Sequence, residues 1–343
     1  MDRISSFTQQ SSISIDTNCS GNNYQQSLGC IMQQTLARPV RCSGIAVHSG
    51  KKASLCVLPA PAGSGIVFKR VDITHKNNLI PCTVSAVTQT RLCTSLSNEQ
   101  GVGVSTIEHL MSALNAFGVD NALIEIDSEE LPIMDGSAAP YVFLLEASGL
   151  IQQQLPRRVI KITKEVCAQI GDAYARFSPA ERFSFSFEIE FAHKAIGKQS
   201  YALEALCWRD YRTKISRART FGFYEQIDAM RKQGYGQGGS FENAILLGKD
   251  TVLNKDGLRY PDEFVRHKML DSIGDIFICG HRILGHFHGH KAGHSINIEL
   301  LRTLEANRDC WEFIEQKQPI SSHAIALGHS FSEQERIAMA PLA

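Results

Sequence analysis

Hydrophobic residues in the first half of the chain recur in short runs that predict β-strands, with glycine and proline between the runs. One longer segment has helical periodicity and ends at Gly118, a residue suited to a left-handed helix cap. The predicted elements are strands over 53–58, 65–68 and 121–126 and helices over 106–117 and 139–148.

The second half repeats this order of strands and helices. A long helix is expected after Pro261, because Asp262 and Glu263 lie where carboxylates complement the helix dipole. The predicted elements are strands over 159–166, 173–178 and 184–191, a glycine-rich loop over 234–239, and helices over 262–279 and 296–306.

Strands followed by helices in each half predict an α+β fold rather than a long parallel α/β sheet. The polar segment 152–156, Gln-Gln-Gln-Leu-Pro, is the expected domain boundary. The chain is rich in Ser, Gln and Asn up to residue 30, so 1–31 is expected to be a disordered leader or an extension before a native start at Met32. The expected domains are 32–154 and 157–318, followed by a tail over 319–343.

Composition narrows the class of protein. The length of 343 residues suits about two domains. The 35 Lys and Arg residues balance the 35 Asp and Glu residues, so the chain lacks the basic excess that favours binding to nucleic acid or to an anionic membrane. Ten scattered cysteines without a Cys-x-x-Cys pair favour reduced thiols. No run reaches the roughly 18 apolar residues of a membrane helix, and the N-terminus lacks the features of a secretory signal. We therefore expect a cytoplasmic protein that binds no nucleic acid and does not insert stably into a membrane. A monomer is a separate expectation that composition does not decide.

The first candidate for chemistry is the segment 105–110, Ser-Thr-Ile-Glu-His-Leu. Ser-x-x-Glu before an apolar run is a capping box, in which Glu108 would close the helix start. Alternatively, His109 is a metal ligand and Glu108 is a base beside the metal. The hexapeptide alone leaves both interpretations open.

The second candidate is a row of three side chains, His267, Asp271 and Asp275, which a helix would place on one face. Apolar residues between them, such as Met269 and Ile273, predict burial. A buried imidazole with two carboxylates is costly unless another group satisfies them. A His/Asp pair one turn apart can bind zinc. Alternatively, the three side chains form a solvated polar face of the helix.

A third candidate is the histidine-rich segment near residue 290. His286, His288 and His290 would point to one side of a strand, as a second metal cluster or as solvated side chains on an exposed edge. His294 follows Gly293 in a loop-like context, where a titrating imidazole can reach a substrate. The glycines of 234–239 match neither nucleotide fingerprint and indicate a mobile loop over a substrate, and no Gly-x-Ser-x-Gly is present.

Several segments together resemble one family, the zinc-dependent UDP-3-O-acyl-N-acetylglucosamine deacetylases of lipid A biosynthesis. The resembling segments are Thr106-Ile107-Glu108-His109-Leu110, 132–140, 216–223, 238–241, 256–259, 263–271 and Gly293-His294, in order between about Thr35 and Trp311. The resemblance implies two similar domains, each a β-sheet with two packed helices. It also implies an active site at the domain interface and an insert of the second domain that covers the substrate.

The resemblance further implies one catalytic zinc, held by His109, His267 and Asp271 with one position open, although iron(II) accepts the same ligands. Glu108 is similar to the general base that takes a proton from water. Thr220 is similar to the hydroxyl that stabilises the oxyanion beside the metal.

The remaining roles concern the leaving group and the substrate, a nucleotide sugar with a fatty acyl chain. His294 resembles the general acid that protonates the leaving amine, and Asp275 resembles the carboxylate that keeps this imidazolium charged. The implied substrate contacts are Lys268, Phe221, Cys93, Gly239 and Ser240, and candidates for an acyl passage are Ile227, Phe241, Ala244 and Leu246.

Two rival functions stay open at this point. One is a zinc deacetylase of another nucleotide sugar or N-acyl amino sugar, and the other is a metal-free binding protein that keeps the fold. The metal-free binding protein is disfavoured because all five side chains expected to carry the chemistry are present, namely Glu108, His109, His267, Asp271 and His294. The segment 290–294, His-Lys-Ala-Gly-His, departs from the family, which has an aromatic residue before Lys/Arg-Ser-Gly-His.

Overall fold

The computed structural model describes residues 28–319. Most of the expected leader and almost all of the expected tail therefore lie outside the described residues. The strands of the first half are β1 (Leu28–Cys30), β2 (Met32–Leu36), β3 (Val40–Ile45), β4 (Lys52–Pro59), β5 (Ile66–Arg70), β6 (Leu79–Pro81), β7 (Val87–Gln89), β8 (Ser95–Ser97), β9 (Gly103–Ser105), β10 (Ala122–Ile126) and β11 (Leu150–Pro156). Its helices are α1 (Glu108–Phe117) and α2 (Ala139–Ser148).

The second half holds the remaining elements. Its strands are β12 (Arg158–Ile162), β13 (Val166–Ile170), β14 (Ala173–Ser178), β15 (Ser184–Glu190), β16 (Lys198–Leu203), β17 (Phe221–Phe223), β18 (Ile245–Leu247), β19 (Arg282–Leu284), β20 (His286–His290), β21 (Trp311–Glu315) and β22 (Lys317–Pro319). Its helices are α3 (Trp208–Asp210), α4 (Ile227–Lys232), α5 (Glu263–Ile276) and α6 (His294–Ala306). β22 pairs with β1, so ordered pairing within the described residues begins before Met32.

The two halves contain the same five-stranded sheet. The strand orders are β3-β4-β10-β5-β6 and β13-β14-β20-β15-β16. In each sheet the central strand is antiparallel to the second strand of the first hairpin and parallel to the first strand of the second hairpin. The predicted α+β fold with two similar halves is confirmed.

Helix ends show where local signals in the sequence are strong and where they are weak. α1 ends at Gly118, whose φ of 71° is left-handed as predicted. α6 begins at His294, with Gly293 as its N-cap, so the loop-like context expected for His294 is wrong. The apolar pattern marked only the later turns of this helix, because its first two residues are polar.

Close packing of α1 against α5 joins the two halves. A Cβ on Gly274 would lie 2.0 Å from the backbone oxygen of Glu108, so only glycine permits this approach. Asn115 also donates from Nδ2 to the Ile273 carbonyl at 3.0 Å. As a result, the start of α1 lies beside the polar row of α5.

The segment expected to be a linker, 152–156, belongs to a strand. β11 pairs antiparallel with β2, with an irregularity between Gln152 and Pro156. Arg157 follows this strand and donates from Nε and one terminal nitrogen to the Asp120 carboxylate at 2.8 and 2.7 Å. This partly buried ion pair fixes the beginning of the second half to the first.

The glycine-rich loop 234–239 is docked on the first half. Gln237 and Gly238 donate their N–H groups to the carbonyls of His48 and Val47 at 3.0 and 3.1 Å. A Cβ on Gly238 would lie 2.2 Å from the Ala46 oxygen. Close approach of two backbones, rather than mobility, explains the glycine at 238.

Candidate active site and metal centre

A cavity of about 1020 Å³ opens between the two halves. α1 contributes Glu108 and His109 to its wall, α5 contributes His267, Lys268 and Asp271, and α6 contributes His294. The predicted residues that line this cavity also include Thr220, Phe221, Gly239, Ser240, Ile227, Phe241, Ala244 and Leu246. The structure thus brings together residues that are as much as 186 positions apart in the sequence.

Three buried side chains in this cavity converge on one point. His109, His267 and Asp271 each offer a ligand atom, and these atoms lie within 4.8 Å of one another. Asp271 Oδ1 is 3.3 Å from His267 Nε2 and 3.6 Å from His109 Nε2. Within residues 28–319 this is the one group of three His, Cys, Asp or Glu side chains that has the spacing for a metal ion.

The hydrogen bonding of His267 indicates that a cation belongs here. Its Nδ1 lies 3.1 Å from the Ala218 carbonyl, which can only accept, so Nδ1 carries the proton. Burial lowers the pKa of His267 to about 4, which leaves Nε2 unprotonated at neutral pH. An imidazole lone pair and a carboxylate oxygen then face each other at 3.3 Å. Two acceptors at this distance repel unless a cation lies between them, so the donor set fits a divalent metal ion.

The charge on Asp271 is also consistent with a ligand. Burial alone would raise the pKa of this carboxyl group, but the adjacent positive charge of Lys268 helps to hold it well below its usual range. Lys268 donates from Nζ to Asp271 Oδ2 at 3.0 Å, which leaves Oδ1 directed towards the imidazoles. The carboxylate is therefore ionised, as metal binding requires.

Glu108 does not close the start of α1, so the capping-box interpretation is wrong. The N-cap is Ile107, and no side chain caps the helix. The Glu108 carboxylate instead accepts a hydrogen bond from the Thr94 N–H at 3.1 Å. Burial raises the pKa of this carboxyl group, and the negative charges of Asp271 and Asp275 add to the effect. A carboxylate with a raised pKa beside a metal site is suited to accept a proton.

His294 and Asp275 form a second buried pair beside the cavity. His294 Nδ1 lies 2.8 Å from Asp275 Oδ2. Burial alone would lower the pKa of His294, but the carboxylate of Asp275, with Glu108 and Asp271, raises it to about 9. Asn297 donates to the same oxygen of Asp275 at 2.9 Å. The imidazole of His294 is thus charged at neutral pH and lines the cavity.

The backbone is strained close to three of these positions. Leu92, Thr106 and Lys291 have φ values of 68°, 58° and 50°, a left-handed conformation that costs non-glycine residues free energy. Each lies two or three residues before a buried polar residue of the site, namely Thr94, Glu108 and His294 respectively. Left-handed turns thus precede three of the buried polar residues at the centre.

Two of the predicted site residues do not line the cavity. Cys93 is 2% exposed and, like Asp275, is not among the residues that line the cavity. Its neighbour Thr94 donates its hydroxyl to Asp275 Oδ1 at 2.7 Å. Neither Thr94 nor the Ala218 carbonyl carried a signal in the sequence, because a lone threonine and a backbone oxygen form no motif.

The histidine row on β20 is not an exposed edge, as one interpretation held, because β20 is the central strand of its sheet. The three rings lie on one face and are half-buried. Ser186 Oγ lies 2.8 Å from His286 Nε2 and 2.7 Å from His288 Nδ1. His290 Nδ1 lies 3.2 Å from a carboxylate oxygen of Glu188. Hydrogen bonds to neighbouring strands therefore satisfy this row.

A buried group of side chains suited to a cation, with a carboxylate and a charged imidazole in the same cavity, is the arrangement expected of a metal-dependent hydrolase. A family model described as UDP-3-O-acyl N-acetylglycosamine deacetylase matches residues 33–306. A protein named UDP-3-O-acyl-N-acetylglucosamine deacetylase from Cellvibrio japonicus (strain Ueda107) is 46% identical over 293 residues, which cover 84% of this chain and 96% of that protein. Proteins with the same name from Shewanella sp. (strain W3-18-1) and Shewanella oneidensis are each 44% identical over 285 residues, covering 83% of this chain and 93% of theirs.

The chain belongs to the UDP-3-O-acyl-N-acetylglucosamine deacetylase family. Deacetylation of UDP-3-O-acyl-N-acetylglucosamine, a step of lipid A biosynthesis, is its function, and the predicted hydrolysis of an amide bond is confirmed. The family depends on a metal ion, and the chain carries a His/His/Asp site that suits one. In the part of the chain that the structure describes, no helix has both the length and the apolar character needed to cross a bilayer.

Proposed function

We propose that His109, His267 and Asp271 hold one Zn²⁺ ion and that the surrounding residues use it to hydrolyse the 2-acetamido group. The observation that carries this proposal is the convergence of two imidazoles and one carboxylate within 4.8 Å in a buried cavity. When bound, such an ion acidifies water and polarises the amide carbonyl. Two nitrogens and one oxygen with a position open are typical of catalytic zinc, and Fe²⁺ is the alternative occupant.

Glu108 is proposed as the general base. It lies next to a metal ligand in the sequence, lines the cavity and has a pKa raised by burial. It therefore accepts the proton that water loses when it attacks the carbonyl carbon. The Thr94 N–H keeps the carboxylate in place during this transfer.

His294 is proposed as the general acid. The amide nitrogen cannot leave as an anion, so it needs a proton as the carbon–nitrogen bond breaks. The imidazolium of His294 carries that proton, and Asp275 holds the ring through Nδ1, which leaves Nε2 as the donor. Thr220 and Lys268 line the same cavity, and we propose that the Thr220 hydroxyl stabilises the oxyanion.

The acyl chain of the substrate is proposed to occupy the apolar part of the cavity. Phe191, Phe223 and Leu246 line this part beside the insert that contains α4 and the loop 234–239. Lys268 and Phe221 are proposed to contact the sugar and its diphosphate. The domain limits 32–154 and 157–318, a monomeric state and a cytoplasmic location are part of the same proposal.

A pH profile tests the role of His294. In the wild type, kcat/KM should fall as pH rises through the pKa of His294, because the imidazolium loses its proton there. That pKa is about 9 without a metal ion, and a bound cation would repel the imidazolium and move the limb to lower pH. His294→Ala should lower kcat and remove this limb. An alanine variant that keeps the limb would exclude His294 as the acid, and His286→Ala, a histidine outside the cavity, is the matched control.

The dependence of kcat/KM on the acyl chain tests whether the substrate is the acylated nucleotide sugar or another N-acyl sugar. We expect kcat/KM for UDP-N-acetylglucosamine, which lacks the acyl chain, to be lower by at least about a thousandfold than for the acylated substrate. Each methylene of the acyl chain that is buried in the cavity contributes roughly 0.8 kcal/mol to binding, so burial of about five methylenes accounts for a thousandfold ratio. Steady-state acetate release from both compounds makes the comparison. Equal kcat/KM values would redirect the assignment to a different amino sugar.

A further inference from the structure

Thr94 links the two sides of the proposed active site. Its backbone N–H donates to Glu108 Oε2 at 3.1 Å, and its hydroxyl donates to Asp275 Oδ1 at 2.7 Å. Its carbonyl accepts a hydrogen bond from the Ile107 N–H at 3.5 Å, at the start of α1. The side chain is fully buried, so no solvent competes for these bonds.

The link continues to the imidazole that faces the cavity. Asp275 uses Oδ1 for Thr94 and Oδ2 for His294 and Asn297, so both of its oxygens are hydrogen-bonded. The orientation of the His294 ring therefore depends on a carboxylate that Thr94 helps to hold. One residue of the first half thereby connects a carboxylate on α1 to an imidazole on α6.

The geometry of the loop before Thr94 supports a positioning role. Leu92 has a φ of 68°, a left-handed turn two residues before Thr94, and Thr94 is hydrogen-bonded to both α1 and α5. A non-glycine residue keeps such a conformation only where its surroundings impose it. Thr94 does not line the cavity, so it does not contact the substrate directly.

We propose that Thr94 is a positioning residue that holds the general base and the general acid in one fixed geometry. This inference rests on the proposed roles of Glu108 and His294. The catalytic distance between the two groups is set through Thr94: its peptide N–H fixes the base, and its hydroxyl fixes the acid through Asp275. A substitution that removes only the hydroxyl should therefore disturb the acid side and leave the metal ligands in place.

Thr94→Val is the direct test, because valine keeps the shape and the N–H but lacks the hydroxyl. We expect kcat for acetate release to fall by about tenfold to a hundredfold, the effect of losing a hydrogen bond to a charged group. KM and bound metal should change little. Thr94→Ser, which restores the donor, should recover most of kcat. Thr94→Ala lacks the hydroxyl without adding bulk and gives a second measurement if valine is poorly tolerated.

Two controls separate positioning from a general loss of stability. Thr35→Val removes a buried hydroxyl that donates to the Asn121 carbonyl at 2.7 Å, outside the cavity, and should lower Tm but not kcat. In an Asp275→Ala background, Thr94→Val should cause no further loss, because the group through which it acts is absent.

The inference is overturned if Thr94→Val keeps wild-type kcat, if serine fails to rescue it, or if its loss is undiminished in the Asp275→Ala background. Failure of the underlying mechanism would look different. In that case Glu108→Gln and His294→Ala would themselves keep wild-type kcat.

Discussion

Replacing Glu108 with glutamine is expected to reduce kcat by about a hundredfold to ten-thousandfold, the range for loss of a general base. Glutamine keeps the size of the side chain and an oxygen that can still accept from the Thr94 N–H. It cannot take a proton from water at neutral pH. Since Glu108 is not one of the three ligands, bound metal should stay at the wild-type level.

Steady-state acetate release and metal analysis on the same preparation make this measurement. Glu108→Ala should lose a similar share of kcat, which would show that the loss does not come from a misplaced amide. A glutamine variant that turns over at close to the wild-type rate with full metal would exclude Glu108 as the base.

Replacing His267 with alanine is expected to remove the metal ion and, with it, nearly all turnover. The substitution deletes one of two imidazoles and leaves Asp271 facing His109 alone, so affinity falls sharply. Metal content after dialysis and kcat should fall together. His288→Ala, on the sheet face away from the cavity, should change neither.

Thermal unfolding gives a second readout for the same variant. A ligand that binds only the folded chain raises Tm, so a chelator should lower the Tm of the wild type. His267→Ala should start from a lower Tm and show no response to the chelator. A variant that retains stoichiometric metal and full turnover would show that His267 is not a ligand.

The fold was predictable where local patterns coincide with the final elements. The helix over 139–148 and the end of α1 at Gly118 agree with the structure, because apolar spacing and a left-handed glycine cap are local properties. The strand β11 was not recognised. Gln152 and Gln154 are exposed and Gln153 is half-buried, so the strand has no apolar alternation in its sequence, and its partner β2 lies more than a hundred residues away.

The site was predictable in part. The spacing of His267 and Asp271 on a helix indicated a possible metal pair, but His109 joined them only through the resemblance to the family. The contact between α1 and α5 brings these residues together, and it requires a glycine at position 274. This requirement comes from the backbone of Glu108 on α1, so the sequence around Gly274 does not reveal it. Thr94 was missed because its role comes from a backbone N–H and a hydroxyl that meet two separate helices.

Acetate release from UDP-3-O-acyl-N-acetylglucosamine by the purified chain, with chelator and metal add-back arms, tests the central claim most directly. We predict turnover that stops when a chelator has removed the metal and returns with one equivalent of zinc. An iron(II) arm under anaerobic conditions identifies which metal supports the higher kcat. Turnover that persists in folded protein shown to contain no metal, or no acetate from folded, zinc-loaded protein, would contradict the account.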